Sequence, residues 1–143
     1  MYGTILIGAA TSLLNIGVHA IIMGPMIWSA HHMLRRAARA HPHVRLVLVM
    51  MATVIVLMLA HLIEIGIWAL VYVLFEVTPK QADAFYFAFV NYTTLGYGDV
   101  LPVGDRRLLG PIAAMNGVLL FGWSTAVIFD VLRKVGTVSP RKS

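Results

Sequence analysis

Three apolar runs, each long enough to cross a bilayer, constrain this chain more than anything else in it. Met1 to Ala30 contains no Lys, Arg, Asp or Glu. Leu46 to Phe75 is interrupted only by His61 and Glu64, and Leu108 to Phe129 is again free of charge. At about 1.5 Å per helical residue the second run spans about 45 Å, against a hydrocarbon core of roughly 30 Å. It is expected to tilt or protrude. A water-soluble fold of 143 residues cannot hide so much apolar surface, because 59% of the residues are hydrophobic and only 12% charged. Soluble domains average about 45–50% and about 25%. Lipid is therefore the expected solvent.

The first arginines, Arg35, Arg36 and Arg39, follow the first apolar run rather than precede it. A cleaved secretory signal carries its positive charge first, so a retained spanning helix over Thr4–Trp28 is expected, kinked near its end by Gly24-Pro25. Gly8 and Gly17 permit close helix approach, and Asn15 and His19 should face protein rather than lipid. The chain then divides into an N-terminal transmembrane helix (1–30), a basic connection (31–45), a two-span region (46–133) and a short tail (134–143). Arg35, Arg36, Arg39 and Arg45 fall on the same side as Arg133, Lys134, Arg141 and Lys142. Lys80, Arg106 and Arg107 fall on the other, among Glu76, Asp83, Asp99 and Asp105. The positive-inside rule then puts the N-terminus outside and the connection and tail in the cytoplasm of a multi-pass cell-membrane protein. The net charge of +5 thus reads as topology and lipid-headgroup contact, not as nucleic-acid binding. Arg35, Arg36 and Arg39 lie in a connection and do not form a voltage sensor, which needs arginines at every third position within a span. His31, His32, His41 and His43 read as solvated loop residues. With no cysteine, disulfides, thiolate nucleophiles and Cys-ligated metal sites are excluded.

Between the second and third spans, the polar stretch Glu76 to Asp83 leads into aromatic Ala84–Tyr92, too short to cross, followed by Thr93-Thr94-Leu95-Gly96-Tyr97-Gly98-Asp99. Backbone that is neither helix nor barrel is tolerated at membrane depth only where it lines a cavity or is buried in protein. A short helix that enters and stops, followed by a glycine-rich extended return, meets that condition as a loop lining a pore. Stripping water from a cation takes several carbonyl oxygens aimed at one axis. An ordinary strand alternates its carbonyls, so some residues must take left-handed φ, which Gly96 and Gly98 do at little steric cost. The Thr94 hydroxyl can add an oxygen, and the C-terminal end of the short helix favours a cation below it.

In these residues the chain resembles the potassium-channel pore family. TTLGYGD is a filter of the TVGYGD type with Leu95 in the valine place, and HLIEIGIWA (His61–Ala69), FYFAFVNYTTLGYGD and NGVLLFGWSTA (Asn116–Ala126) add to the likeness. It looks most like small bacterial channels with three spans and one pore loop. The resemblance implies an all-α membrane protein with a pore domain at 46–133: outer helix 46–75, re-entrant pore helix 84–93, filter 94–98 and inner helix 108–132. It implies a homotetramer, since four filters surround one axis. It further implies passive conduction of K+ bound by Thr94, Leu95, Gly96, Tyr97 and Gly98, with no cofactor besides the transported ion. Thr93, Asp99, Tyr86 and Val90 would support the filter. Several prokaryotic channels carry a glutamate at the Val90 position as partner of the Asp after GYG; here Asp99 needs another, and Tyr86 is a candidate.

Alternatives are a non-conducting accessory membrane subunit and a weakly selective cation channel. A membrane enzyme is not supported, because no nucleophile–base pair, metal triad or phosphate loop is present. The tail after Lys134 is too short for a soluble ligand-binding domain. Within the spans, Asn116 either faces the cavity or bonds another helix, and Gly117 and Gly122 either let the inner helix bend or let helices pack closely. His61, Glu64 and Trp68 share one helix face, as an anchor or as a proton-sensitive switch. Their depth puts Asn91, Trp123 and Ser124 within possible reach of Glu64. Two ligands, His61 and Glu64, make no metal site.

Overall fold

The computed structural model describes residues 1–36, 41–79, 83–102 and 106–137. Four helices follow one another: α1 (Tyr2–Arg36), α2 (Pro42–Leu74), α3 (Ala84–Tyr92) and α4 (Leu109–Thr137). No strand occurs among the described residues. Tyr2–Ser29, His43–Leu74 and Leu109–Lys134 are long and apolar enough to cross a membrane, so the chain is an all-α, multi-pass membrane protein. Arg39, Lys80, Asp105, Arg141 and Lys142 of the topology argument lie outside the described residues.

Three expected boundaries move, and one of them is the end of α4, which continues to Thr137, past the expected inner-helix end at 132 and into the expected tail. α1 runs through Gly24-Pro25 to Arg36, so Arg35 and Arg36 end a helix instead of opening a connection. A proline removes one N–H, whereas a helix in lipid gains by keeping every other backbone bond internal. α2 starts at Pro42, a position where the missing N–H would have had no partner anyway. The basic connection shrinks accordingly to 37–41. His41 and His43 are exposed and stack on one another with ring centroids 5.4 Å apart.

α2 ends in a tight reversal. The Val77 N–H donates to the Tyr72 carbonyl at 2.9 Å and the Glu76 N–H to the Val73 carbonyl at 3.1 Å. This is a Schellman arrangement in which Glu76, at φ 48, stands where glycine is usual. Arg106 donates to the Phe75 carbonyl at 2.5 Å and lies 5.1 Å from the centre of the Phe75 ring. The segment entering α4 is thereby tied to the end of α2.

The interior is built in layers. One apolar cluster joins α2, α3 and α4 through Trp68, Tyr72, Phe87, Tyr92, Leu109 and Leu120. A second joins α1, α2 and α4 through Met23, Met26, Val49, Leu57, Val127 and Val131. By position along each helix, the buried His19, Glu64 and Ser124 fall between the two clusters. α4 crosses the end of α3 at Gly117, where a Cβ would collide with the Tyr92 carbonyl oxygen. The two α4 glycines therefore differ: Gly117 is a close-packing position, whereas a Cβ on Gly122 would meet nothing within 4 Å. Gly117→Ala should cost about 1–3 kcal/mol by forcing α3 and α4 apart. Gly122→Ala should be neutral or stabilising by up to about 1 kcal/mol through helix propensity. Thermal unfolding in detergent separates the two.

Candidate functional site

α3 is nine residues long, too short to persist alone, and both of its ends are held. At its start the Asp83 carboxylate accepts from the Phe85 N–H at 2.9 Å and the Tyr86 N–H at 3.2 Å, an N-cap that also places a negative charge at the positive end of the helix. The Tyr86 hydroxyl reaches the other way and donates to Asp99 Oδ2 at 2.6 Å. That bond holds the Tyr86 hydroxyl above the ordinary tyrosine range. The return segment is thus pinned at its Asp99 end by the first turn of α3.

At the other end the chain leaves α3 through bonds to its last carbonyls. The Thr94 N–H donates to the Asn91 carbonyl at 2.9 Å, and the Leu95 and Gly96 N–H groups share the Val90 carbonyl at 2.9 and 3.4 Å. Val90 supports the segment by this carbonyl, while its side chain is buried. Thr93 turns inward to the Phe89 carbonyl at 2.8 Å. Beyond it the φ angles alternate in sign. Thr94, Gly96 and Gly98 lie at 61°, 60° and 77°, while Leu95 and Tyr97 keep ordinary negative φ. For a β-branched residue such as Thr94 a positive φ is a strained conformation, and such strain concentrates at functional sites. Leu95 is 53% and Tyr97 67% exposed in the single chain.

Below this segment lies a buried polar layer fed by all four helices. Glu64 on α2 is fully buried. Its Oε1 lies 2.7 Å from His19 Nδ1 of α1, and its Oε2 lies 2.9 Å from His61 Nδ1 and accepts from the Tyr92 hydroxyl of α3. His61 Nδ1 is also 3.1 Å from the Tyr92 hydroxyl. On their far sides both imidazoles meet Ser124 Oγ of α4, at 3.0 Å from His61 Nε2 and 3.5 Å from His19 Nε2. A second knot sits beside it. Asn116 Oδ1 accepts from Trp68 Nε1 at 3.1 Å and from Asn15 Nδ2 at 3.0 Å, and the same Asn15 amide lies 3.3 Å from the Glu64 carbonyl.

His61, Glu64 and Trp68 thus lie in one interhelical network. Asn116 is 1% exposed, and within the single chain its carbonyl oxygen is taken by two other helices. Around Glu64, Ser124 acts through the two imidazoles; Asn91 bonds back to the Phe87 carbonyl at 2.8 Å, and Trp123 packs on the His19 ring at 5.2 Å. Tyr92 takes the place that depth alone had offered to Asn91. Among groups able to ligate a metal, the sequence places only His61 beside Glu64; the structure adds His19, bringing three donor atoms within 4.8 Å of one another. The direct nitrogen–oxygen separations are those of hydrogen bonds, shorter than the roughly 3.3 Å between ligands of a tetrahedral ion with bonds near 2.0–2.1 Å. As arranged, the cluster is a hydrogen-bond network and not a preformed metal cage.

Three spans, with a short helix and a glycine-rich return between the last two, define a multi-pass membrane protein. The family model described as ion channel matches residues 43–134, from the first turn of α2 to the last turns of α4, and the chain belongs to that ion-channel family. α1 lies outside the matched region. No curated protein and no solved structure matches the chain.

Replacing Glu64 by Leu leaves His19, His61 and Tyr92 without their acceptor, and should destabilise the protein by about 3–5 kcal/mol. Glu64→Gln keeps the shape and one carbonyl acceptor and should cost less than half as much. Thermal unfolding of the detergent-solubilised variants checks the order, and equal stability of Glu64→Leu and the parent contradicts the anchoring role.

Proposed function

We propose that this ion channel is potassium-selective, that its filter is Thr94-Leu95-Gly96-Tyr97-Gly98, and that four copies of the chain surround one axis. The observation that supports selectivity best is the alternation of φ sign at Thr94, Gly96 and Gly98. In an ordinary strand successive carbonyls point to opposite sides. Turning every second residue left-handed undoes that alternation, so consecutive carbonyls can face one line and replace the hydration shell of a cation. Asp99 and Tyr86 hold the outer end of this ladder, and the Val90 and Asn91 carbonyls hold its inner end. Potassium is the cargo, not a resident cofactor, and conduction is passive.

The tetramer is supported by what one chain leaves uncovered. An irregular backbone at membrane depth cannot face lipid, yet Leu95 and Tyr97 have their side chains largely bare in the single chain. Neighbouring copies would cover them. The uncovered stripe Met115, Val118, Leu119 and Gly122 on α4 is then the face available to a central cavity, since Asn116 turns away from it. With an odd number of spans, the excess of arginine and lysine at one membrane face orients the N-terminus outward and the C-terminus to the cytoplasm.

Reversal potentials of the purified protein in bilayers with potassium on one side and sodium on the other test the selectivity. A strong preference for potassium is expected, and equal permeability refutes it. Gly96→Ala should abolish the selective current, because alanine at φ 60 is strained whatever the space around it. Chemical cross-linking in mild detergent should give a ladder ending at four chains. One that ends at two refutes the fourfold assembly.

A further inference from the structure

With Glu64 ionised and both imidazoles neutral, the polar layer contains more acceptors than its protons can fill. From α1 it receives His19, from α2 His61 and Glu64, from α3 Tyr92, and from α4 Ser124, which does not titrate. If Glu64 is ionised it accepts from both Nδ1 atoms and from the Tyr92 hydroxyl, which fixes both imidazoles as Nδ1–H donors. Each Nε2 then presents a lone pair to Ser124 Oγ. The single hydroxyl proton of Ser124 can serve only one of them, and the other stays buried without a donor. One additional proton removes the conflict. A protonated Nε2 donates to Ser124 Oγ, and the Ser124 hydroxyl donates to the opposite Nε2.

The contacts then close into a ring, from Glu64 Oε1 to His19, from His19 to Ser124, from Ser124 to His61, and from His61 back to Glu64 Oε2. A proton for each of these contacts makes the ring electrically neutral. Transfer of the Nδ1 proton of the imidazolium to the facing Glu64 oxygen converts the ion pair into a protonated Glu64 flanked by two neutral imidazoles of opposite tautomer, with no change in total charge. Neutrality matters at this depth, because an uncompensated charge in an apolar interior costs several kcal/mol or more. Loss of the shared proton leaves the site negative, and gain of another leaves it positive.

We infer that His19, Glu64, His61 and Ser124 hold one shared proton in a closed ring, and that this ring is a proton-dependent latch on Tyr92 and through it on the segment that follows α3. Tyr92 touches the ring at Glu64 Oε2 and at His61 Nδ1, and its neighbouring carbonyls receive the Thr94, Leu95 and Gly96 N–H groups. The His61 side chain is 13% exposed in the single chain while those of His19 and Glu64 are fully buried, so His61 is the member of the ring nearest the surface of the chain. The meaning of the latch for conduction rests on the proposed filter, but its test does not.

Imidazole nitrogen resonances of histidine-labelled protein in lipid nanodiscs, assigned with His19→Gln and His61→Gln, report the tautomers directly. At neutral pH at least one of the two rings should carry a proton on Nε2. Ser124→Ala should remove that signal and Ser124→Thr restore it. Finding both rings as neutral Nδ1–H tautomers, finding both as imidazolium, or finding the Nε2 proton unchanged in Ser124→Ala overturns the ring. Amide hydrogen exchange of Leu95 and Gly96 reads the latch without any current: roughly tenfold faster exchange is expected in Ser124→Ala, and unchanged exchange overturns the latch. A protein with these signatures but without selective current would refute the proposed function and leave the ring standing.

Discussion

A carboxylate with no solvent exposure, Glu64, sets the terms for everything around it. In an apolar interior such a group persists only when its oxygens are filled with donors. The chain supplies those donors from three directions, with His19 on α1, His61 one turn away on α2 and Tyr92 at the end of α3. Helix association in lipid lacks a strong hydrophobic drive, because acyl chains are as apolar as leucine. A buried acceptor that several helices must satisfy provides the missing specificity. Sliding or rotating any one of them past the others orphans a polar group. The two apolar clusters on either side of the layer are held by non-directional contacts, whereas the hydrogen bonds of the layer fix one register.

α3 illustrates what this register accomplishes. A nine-residue helix has no independent stability, yet the segment beyond it depends on where its last carbonyls lie. Tyr92 is buried between the polar layer and Phe121, whose ring meets it edge-on at 5.4 Å. The carbonyl oxygen of the same residue closes against Gly117 of α4. One residue is thus fixed by its hydroxyl, its ring and its backbone at once. The strained φ of Thr94, two positions later, is held in place by this surrounding structure and by the Asn91 carbonyl rather than by any preference of threonine.

Much of this plan can be read from the chain itself, and the limits are physical. Spans are legible because lipid imposes one long apolar run per helix. The short aromatic helix and its glycine-rich return are legible because only certain residues tolerate left-handed φ at membrane depth. Glu64 announces itself as a carboxylate inside a span. What it bonds to is harder to read. His61 lies one turn away on the same helix and is visible as an i, i+3 pair, but His19 lies on another helix and becomes a partner only when α1 docks. An isolated histidine in a first span is a weak signal, although with Asn15 one turn before it the pair marks the protein-facing side of α1. Tyr92 was hidden differently: as one aromatic among five in Ala84–Tyr92, nothing local separates the hydroxyl that meets Glu64 from the one on Tyr86 that meets Asp99. Arg35 and Arg36 were misplaced because Gly24-Pro25 reads as a break in water, where a freed carbonyl can be hydrated, and not in lipid.

α1 is bonded into the matched region, not merely set beside it. The ion-channel match begins at residue 43, so two spans, the short helix and the return segment fall within it while α1 falls outside. A helix added for membrane insertion alone would need no more than an apolar surface. α1 instead sends two buried polar side chains into the centre of the matched region, Asn15 to Asn116 and the Glu64 carbonyl, and His19 to the Glu64 carboxylate. Gly8 lets it approach α4 closely enough for Ile112 to fill the place of a side chain. Without α1, Glu64 Oε1 would lose the His19 imidazole, and Asn116 would lose both Asn15 and the Ser12 carbonyl, keeping only Trp68 of the groups that turn it away from the exposed face of α4. The first span is therefore a structural member of the channel domain, and the polar layer that organises α2, α3 and α4 is complete only when α1 is in place.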